Sequence, residues 1–120
     1  TRVVIFNNSP VLDDQHPSAD DDAATPLEET LGAFDALIRS GKVRAIGASN
    51  FTAPRLAAAL DTSRTLGLAR FETLQPWYNL YDRDLFEGEL ERIARSEGLA
   101  VLPYFGLASG FLTGKYRSEA

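Results

Sequence analysis

Gly41-Lys42-Val43-Arg44-Ala45-Ile46-Gly47-Ala48-Ser49-Asn50-Phe51 decides how this chain is read, because within it a helix stop runs into a short apolar strand that ends in small and polar residues. Arg39 and Gly41 supply the cationic last turn and the left-handed stop of a helix. Val43 to Ala48 reads as a strand, and Ser49-Asn50 puts hydrogen-bonding groups at its C-terminal end. In parallel α/β architectures, ligands bind at that end of the strands. Taken by itself the stretch is more simply a helix-to-strand connection closed by a polar turn, so the flanking sequence has to decide.

Upstream, Thr25-Pro26-Leu27-Glu28 predicts a helix start, with Thr25 as cap, Pro26 at the first helical position and Glu28 completing a capping box. Leu27, Leu31, Phe34, Leu37 and Ile38 then recur on one helical face. Downstream, Thr52-Ala53-Pro54 repeats the cap-and-proline logic, and Leu56, Ala57 and Leu60, with Ser63-Arg64, carry a second helix toward Gly67. Phe71 to Gln75 is the next strand. Pro76 and Asn79 break the pattern, Asp82 is placed to cap a third helix, and Phe86, Leu90, Ile93 and Ala94 form its apolar stripe before Gly98 ends it. Ala100 to Tyr104 is again a strand. Near the N-terminus, Val3-Val4-Ile5-Phe6 reads as a short buried strand closed by Asn7-Asn8-Ser9-Pro10. Val11 to Ala24, rich in Asp and holding the single histidine, His16, has the composition of an exposed loop.

Strands starting at Val43, Phe71 and Ala100 are separated by 28 and 29 residues, with one helix in each gap. That spacing predicts an α/β fold of the (β/α)8 TIM-barrel kind or, less often, a doubly wound sheet. A whole barrel needs about 250 residues, so the 120 present predict a partial barrel of alternating parallel strands and helices.

Composition narrows the chemistry. A net charge of −5, with 12 Lys and Arg and no basic cluster, argues against a nucleic-acid binder. With no cysteine there is no disulfide framework, thiolate metal site or cysteine nucleophile, and redox chemistry would need a cofactor. No apolar run approaches membrane-spanning length, and Thr1 to Asn8 does not have the pattern of a signal peptide, which together predict a cytoplasmic protein with no membrane insertion. One histidine makes no metal site. Glu28-Glu29 complements a helix dipole, and Asp20-Asp21-Asp22 lacks the interleaved glycine of a calcium loop.

Polar residues therefore stand out at three strand ends: Ser49-Asn50, Gln75 and Tyr104. Barrel interiors are packed with branched apolar side chains, so polar groups at C-terminal strand ends point to a ligand mouth. Ser109-Gly110-Phe111-Leu112-Thr113-Gly114-Lys115 adds glycines and a lysine suited to anionic phosphates, though without phosphate-loop spacing. Trp77 and Tyr78 read as packing at the rim or as a substrate-pocket wall.

Thr25-Pro-Leu-Glu-Glu-Thr-Leu31, Gly41-Lys-Val-Arg-Ala-Ile-Gly-Ala-Ser-Asn50, Gln75-Pro-Trp-Tyr-Asn79 and Leu107-Ala-Ser-Gly-Phe-Leu-Thr-Gly-Lys115 together resemble the aldo-keto reductase family, in order and at its spacing from about Asp21 to Ala120. The resemblance implies a (β/α)8 barrel that uses NADP(H) to reduce aldehydes or ketones by hydride transfer. It implies that Ser49, Asn50 and Gln75 hold the nicotinamide carboxamide, that Tyr104 stacks on the ring, and that Gly106, Leu107, Ser109 and Lys115 follow the pyrophosphate. The partners expected are that cofactor and a small carbonyl substrate. The family's catalytic Asp, Tyr and Lys would lie N-terminal to this stretch, and its His would fall at Ala19, three residues from His16, so no catalytic residue is assigned. Residues 1–19 are expected to be a divergent segment and 20–120 the partial barrel, weak or inactive on its own. The alternative is a non-catalytic nucleotide-binding regulatory subunit resembling potassium-channel β-subunits.

Overall fold

A computed structural model describes residues 3–7 and 25–115. His16, the Asp20-Asp21-Asp22 run and the loop predicted over 11–24 lie outside the described residues, except that the loop is followed directly by Thr25. Strands β1 (Val3–Asn7), β2 (Ala45–Ser49), β3 (Phe71–Gln75) and β4 (Ala100–Val101) alternate in chain order with helices α1 (Leu27–Arg39), α2 (Ala53–Leu66) and α3 (Glu89–Glu97), and a 3-10 segment spans Ala108–Thr113. The four strands form one parallel sheet in the order β1-β2-β3-β4. This is the expected alternation of part of a (β/α)8 barrel.

β1 runs in register with β2 from Val3 beside Ala45 to Asn7 beside Ser49, so the described part of the N-terminal segment is a strand of the same sheet. Between β2 and β3 the register slips: Ile46 pairs with Phe71 but Gly47 pairs with Thr73, leaving Glu72 as the extra residue. Such a bulge resets the alternation of side chains. It lets both Phe71 and Leu74 face the helices, where each is about 1% exposed, beside Ile46 and Ala48 of β2. Leu31 of α1, Leu56, Ala59 and Leu60 of α2 and Ala94 of α3 close over them.

On the opposite face Gly47 is compulsory. A Cβ there would sit 2.0 Å from Thr73 Oγ1 and 3.4 Å from the Ile5 side chain. Thr73 Oγ1 is itself buried without a hydrogen-bond partner.

Helix ends depart from expectation at two of three starts. α1 has Pro26 at its cap with no side-chain hydrogen bond, in place of Thr25 with a Glu28 capping box. The Pro26 carbonyl accepts from the amides of Glu29 and Thr30, and the proline's fixed φ of −58° performs the entry that a hydroxyl was expected to make. α2 starts as expected: Thr52 Oγ1 accepts from the Arg55 amide at 3.4 Å, and Gly67 ends the helix at φ 64°. α3 begins at Glu89 after Gly88, seven residues beyond Asp82, whose carboxylate is engaged elsewhere. The expected strand from Ala100 to Tyr104 is ladder only through Val101, because Pro76 at the end of β3 has no amide with which to continue the pairing. Leu102 and Tyr104 nevertheless donate to the carbonyls of Leu74 and Pro76, which holds Tyr104 beside the end of β3.

Candidate functional site

Parallel pairing brings the strand ends together before any side chain acts. Ser49 lies opposite Gln75 in register, and Tyr104 bridges to Trp77, two residues beyond Gln75. Ser49 is buried, and its hydroxyl donates to the Gln75 main-chain carbonyl at 2.9 Å, stitching β2 to β3. Its oxygen keeps lone pairs free to accept. The half-buried Gln75 amide makes no side-chain hydrogen bond among the described residues.

Asn50 adopts φ 58°, a conformation Asn tolerates better than other non-glycine residues because of its short polar side chain. That turn carries its carboxamide across the end of β3, where Oδ1 accepts from the Tyr104 hydroxyl at 2.5 Å, 54 residues along the chain. Burial raises the Tyr104 pKa above its ordinary value of 10.0, and the Asn50 bond offsets part of that. Near neutral pH the phenol is therefore a neutral hydrogen-bond donor. Four of the sequence-predicted residues, Ser49, Asn50, Gln75 and Tyr104, thus share one rim.

Gly106, Leu107, Ser109 and Lys115 lie in the coil after Tyr104. Phe105, Ala108, Ser109, Gly110 and Gly114 all have positive φ, which winds this coil tightly. Lys115 folds back over it, with Nζ 3.7 Å from where a Cβ on Gly110 would stand, an ordinary contact, so it is the φ of 93° that calls for glycine there. Leu107 is exposed.

Asn79 and Asp82 are also part of the arrangement, beside Trp77, in roles that the sequence assigned to neither of the two. Asn79 is only 4% exposed. Its Oδ1 accepts from the amides of Tyr81 at 2.8 Å and Asp82 at 2.7 Å, and its Nδ2 donates to Asp82 Oδ2 at 2.9 Å and to the Phe105 carbonyl at 3.1 Å. Trp77 Nε1 donates to the same carboxylate oxygen at 3.1 Å. Two donors on one carboxylate lower the Asp82 pKa below its ordinary value, the Asn79 bond contributing most. The signal in the sequence was Asn followed three residues later by Asp, a spacing suited to an Asx-type turn as well as to a cap.

Trp77 packs tilted on Phe105 at 4.4 Å between ring centroids and edge-on to Tyr104 at 5.9 Å. It also lines, with Asn50, Thr52, Leu74, Phe86 and Leu90, a cavity of about 380 Å³ between β2, the start of α2 and the segment leading to α3. Among the described residues, no cluster of His, Cys, Asp and Glu is disposed to hold a metal. None of the described helices is long and apolar enough to cross a membrane.

Four parallel strands alternating with helices are the architecture of part of a (β/α)8 barrel. The family model described as the aldo/keto reductase family matches residues 14–120, and the chain belongs to that family. It is 39% identical over 98 residues to the aldo-keto reductase YhdN of Bacillus subtilis, covering 82% of this chain and 28% of that protein. It is 37% identical over 95 residues to a probable voltage-gated potassium channel subunit beta of Oryza sativa subsp. japonica, covering 79% of this chain and 29% of the other. Protein tas of Escherichia coli is 39% identical over 97 residues, covering 81% of this chain and 28% of tas. The chain thus matches less than a third of the length of each of these relatives, and β1 precedes the stretch that the family model covers.

Proposed function

We propose that this chain forms the nicotinamide side of an NADP(H) site in a protein that reduces aldehydes or ketones. One observation carries the reading: Asn50 and Tyr104 meet across the end of β3 beside a Gln75 amide that has no partner of its own among the described residues. The residues fit a carboxamide. Gln75 and Asn50 offer both donors and acceptors, and Ser49 Oγ, whose proton is given to the Gln75 carbonyl, is left as an acceptor for an amide N–H. Tyr104 would present its ring to the nicotinamide, and Lys115 with the coil from Gly106 to Ser109 would meet the phosphates. When bound, the cofactor supplies a hydride to a carbonyl carbon.

Reduction also needs a proton for the alkoxide. Tyr104, with its raised pKa and its hydrogen committed to Asn50, is not poised for that role. The chain on its own is accordingly a cofactor binder with little or no turnover. Trp77 is the only tryptophan, so excitation at Trp77 and emission from NADPH provide a direct binding assay. Saturable energy transfer with no consumption of NADPH on adding an aldehyde is the expected result. Absence of saturation up to millimolar NADPH and NADH would end this reading.

The similarity to the plant protein named as a channel β subunit favours a second reading, a nucleotide-binding subunit that acts on a partner. Cofactor binding combined with failure of the longer, intact protein to reduce any of a carbonyl panel would favour it over the first.

A further inference from the structure

We propose that Asn79 and Asp82 form a positioning lock that holds Tyr104 in the orientation in which it meets Asn50. The bond pattern leaves Asn79 one amide orientation. Turning it over would set its oxygen against the Asp82 carboxylate and the Phe105 carbonyl, and its NH2 against two amide N–H groups. In the observed orientation Asn79 closes its own turn and fastens that turn to Phe105, the residue after Tyr104.

A second arm reaches Tyr104 from the other side. Asp82, already held by Asn79, takes the Trp77 indole N–H, and the indole then packs against both Phe105 and Tyr104. Main-chain bonds complete the enclosure, with the Tyr104 amide donating to Pro76 and its carbonyl accepting from Tyr78. Phe105 sits at φ 59°, unfavourable for an aromatic residue without outside restraint, and the Asn79 bond to its carbonyl is such a restraint. Tyr104 is thereby gripped from both neighbouring peptide units and from one ring edge, leaving its hydroxyl to reach Asn50. Neither Asn79 nor Asp82 is an expected ligand contact, and neither lines the cavity, so Asn79 acts through Tyr104. Its consequence for cofactor affinity rests on the function proposed above, whereas the lock itself does not.

The test uses the full chain, first without cofactor. Asn79→Asp keeps the acceptor for the turn amides but replaces the NH2 donor with a charge facing Asp82. Its Trp77 emission should shift to longer wavelength while far-ultraviolet circular dichroism stays unchanged. Thermal unfolding of Asn79→Asp, Asn50→Gly and the double variant should be non-additive, because the two sites are joined through Tyr104. Asp82→Asn, which retains an oxygen for both donors, should restore the native Trp77 emission. Asp82→Ala should shift it, and provides the measurement if Asn79→Asp does not fold. With NADPH, Asn79→Asp should bind about tenfold more weakly and Asp82→Asn nearly as the parent chain does.

Unchanged Trp77 emission in Asn79→Asp and Asp82→Ala, or strict additivity with Asn50→Gly, would overturn the lock. If the parent chain binds no NADPH, the cofactor reading fails alone, and the cofactor-free measurements still decide the lock.

Discussion

The two ends of the sheet are built from different interactions. At the N-terminal end of β3, Arg64 bridges Asp61 and Glu97, and Arg70 donates to the Glu97 main-chain carbonyl at 2.7 Å while its guanidinium lies 3.6 Å from the Glu97 carboxylate. Asp35 of α1 accepts from the Ala69 amide at 3.0 Å, and Ser63 of α2 donates to the Ala69 carbonyl at 3.0 Å. These contacts join the C-terminal turns of the helices to the start of the strand, and Gly67 and Gly98 end two of those helices in left-handed conformation, where an added Cβ would meet only open space. At the C-terminal end the links between strands are neutral side-chain hydrogen bonds, and Asn50, Phe105, Ala108 and Ser109 hold left-handed backbone without being glycine. Ion pairs at the first end are partly solvated and tolerant of small shifts. The second end concentrates conformations that cost energy around the Gln75 amide and the Ser49 hydroxyl, which keep hydrogen-bonding capacity among the described residues, the combination that the proposed ligand mouth calls for.

The harshest challenge to this division falls between the two ends. Gly47→Ala forces a Cβ onto Thr73 Oγ1, and the strand must move to admit it. A loss of about 1–3 kcal/mol in denaturant unfolding is expected, with most of it recovered in the double variant with Thr73→Ala. Failure of that rescue would mean the crowding lies against backbone.

Asn50→Gly separates binding from stability. Glycine accepts φ 58° without strain, so the cost to folding should stay near 1 kcal/mol, the worth of the lost Tyr104 bond. NADPH affinity should fall about tenfold or more, equivalent to roughly 1.4 kcal/mol. Equal losses in both measurements would erase the distinction between the ends.

A pH titration sharpens the same point. The folded-state pKa of Asp82 is lowered, so its contribution is present above the ordinary aspartate value of 3.8 and is lost as pH falls through the lower, folded value. Trp77 emission should therefore stay constant from pH 8 down to about 4, and in more acidic solution it is stability and not emission that falls, since a protonated carboxyl, like Asn, still offers one oxygen to both donors. A transition near neutrality would assign the Trp77 environment to another group.

The smallest effect is expected at the opposite end. Arg64→Ala removes the ion pairs to Asp61 and Glu97 from an arginine that is 62% exposed, and should cost about 0.2–1 kcal/mol, diminished further in high salt, with NADPH binding unaltered.

How far each region could be read from sequence follows from what kind of restraint defines it. Gly67 and Gly98 end their helices in left-handed conformation as their positions in the apolar pattern require, and Thr52 caps because the residue types at three adjacent positions suffice. Asp82 illustrates the opposite case. Its local setting is equally that of a helix cap, and the choice falls to Trp77 and Asn79, whose N–H groups need a buried acceptor more than the start of α3 does. The Thr25 cap failed for a comparable reason, since Pro26 enters the helix through its own fixed φ.

Residue order alone determined the alternation of helices and strands, the parallel sheet it implies, the family motifs, and the polar positions Ser49, Asn50, Gln75 and Tyr104 at strand ends, because periodicity and backbone preference act over a few neighbouring residues. Tertiary structure decided that Val3–Asn7 joins the sheet beside β2, that a bulge at Glu72 turns Phe71 toward the helices, and that Asn50 meets Tyr104 under the grip of Asn79. Those outcomes depend on which donors and acceptors are left over once the strands have paired, and that is settled between residues far apart in the chain.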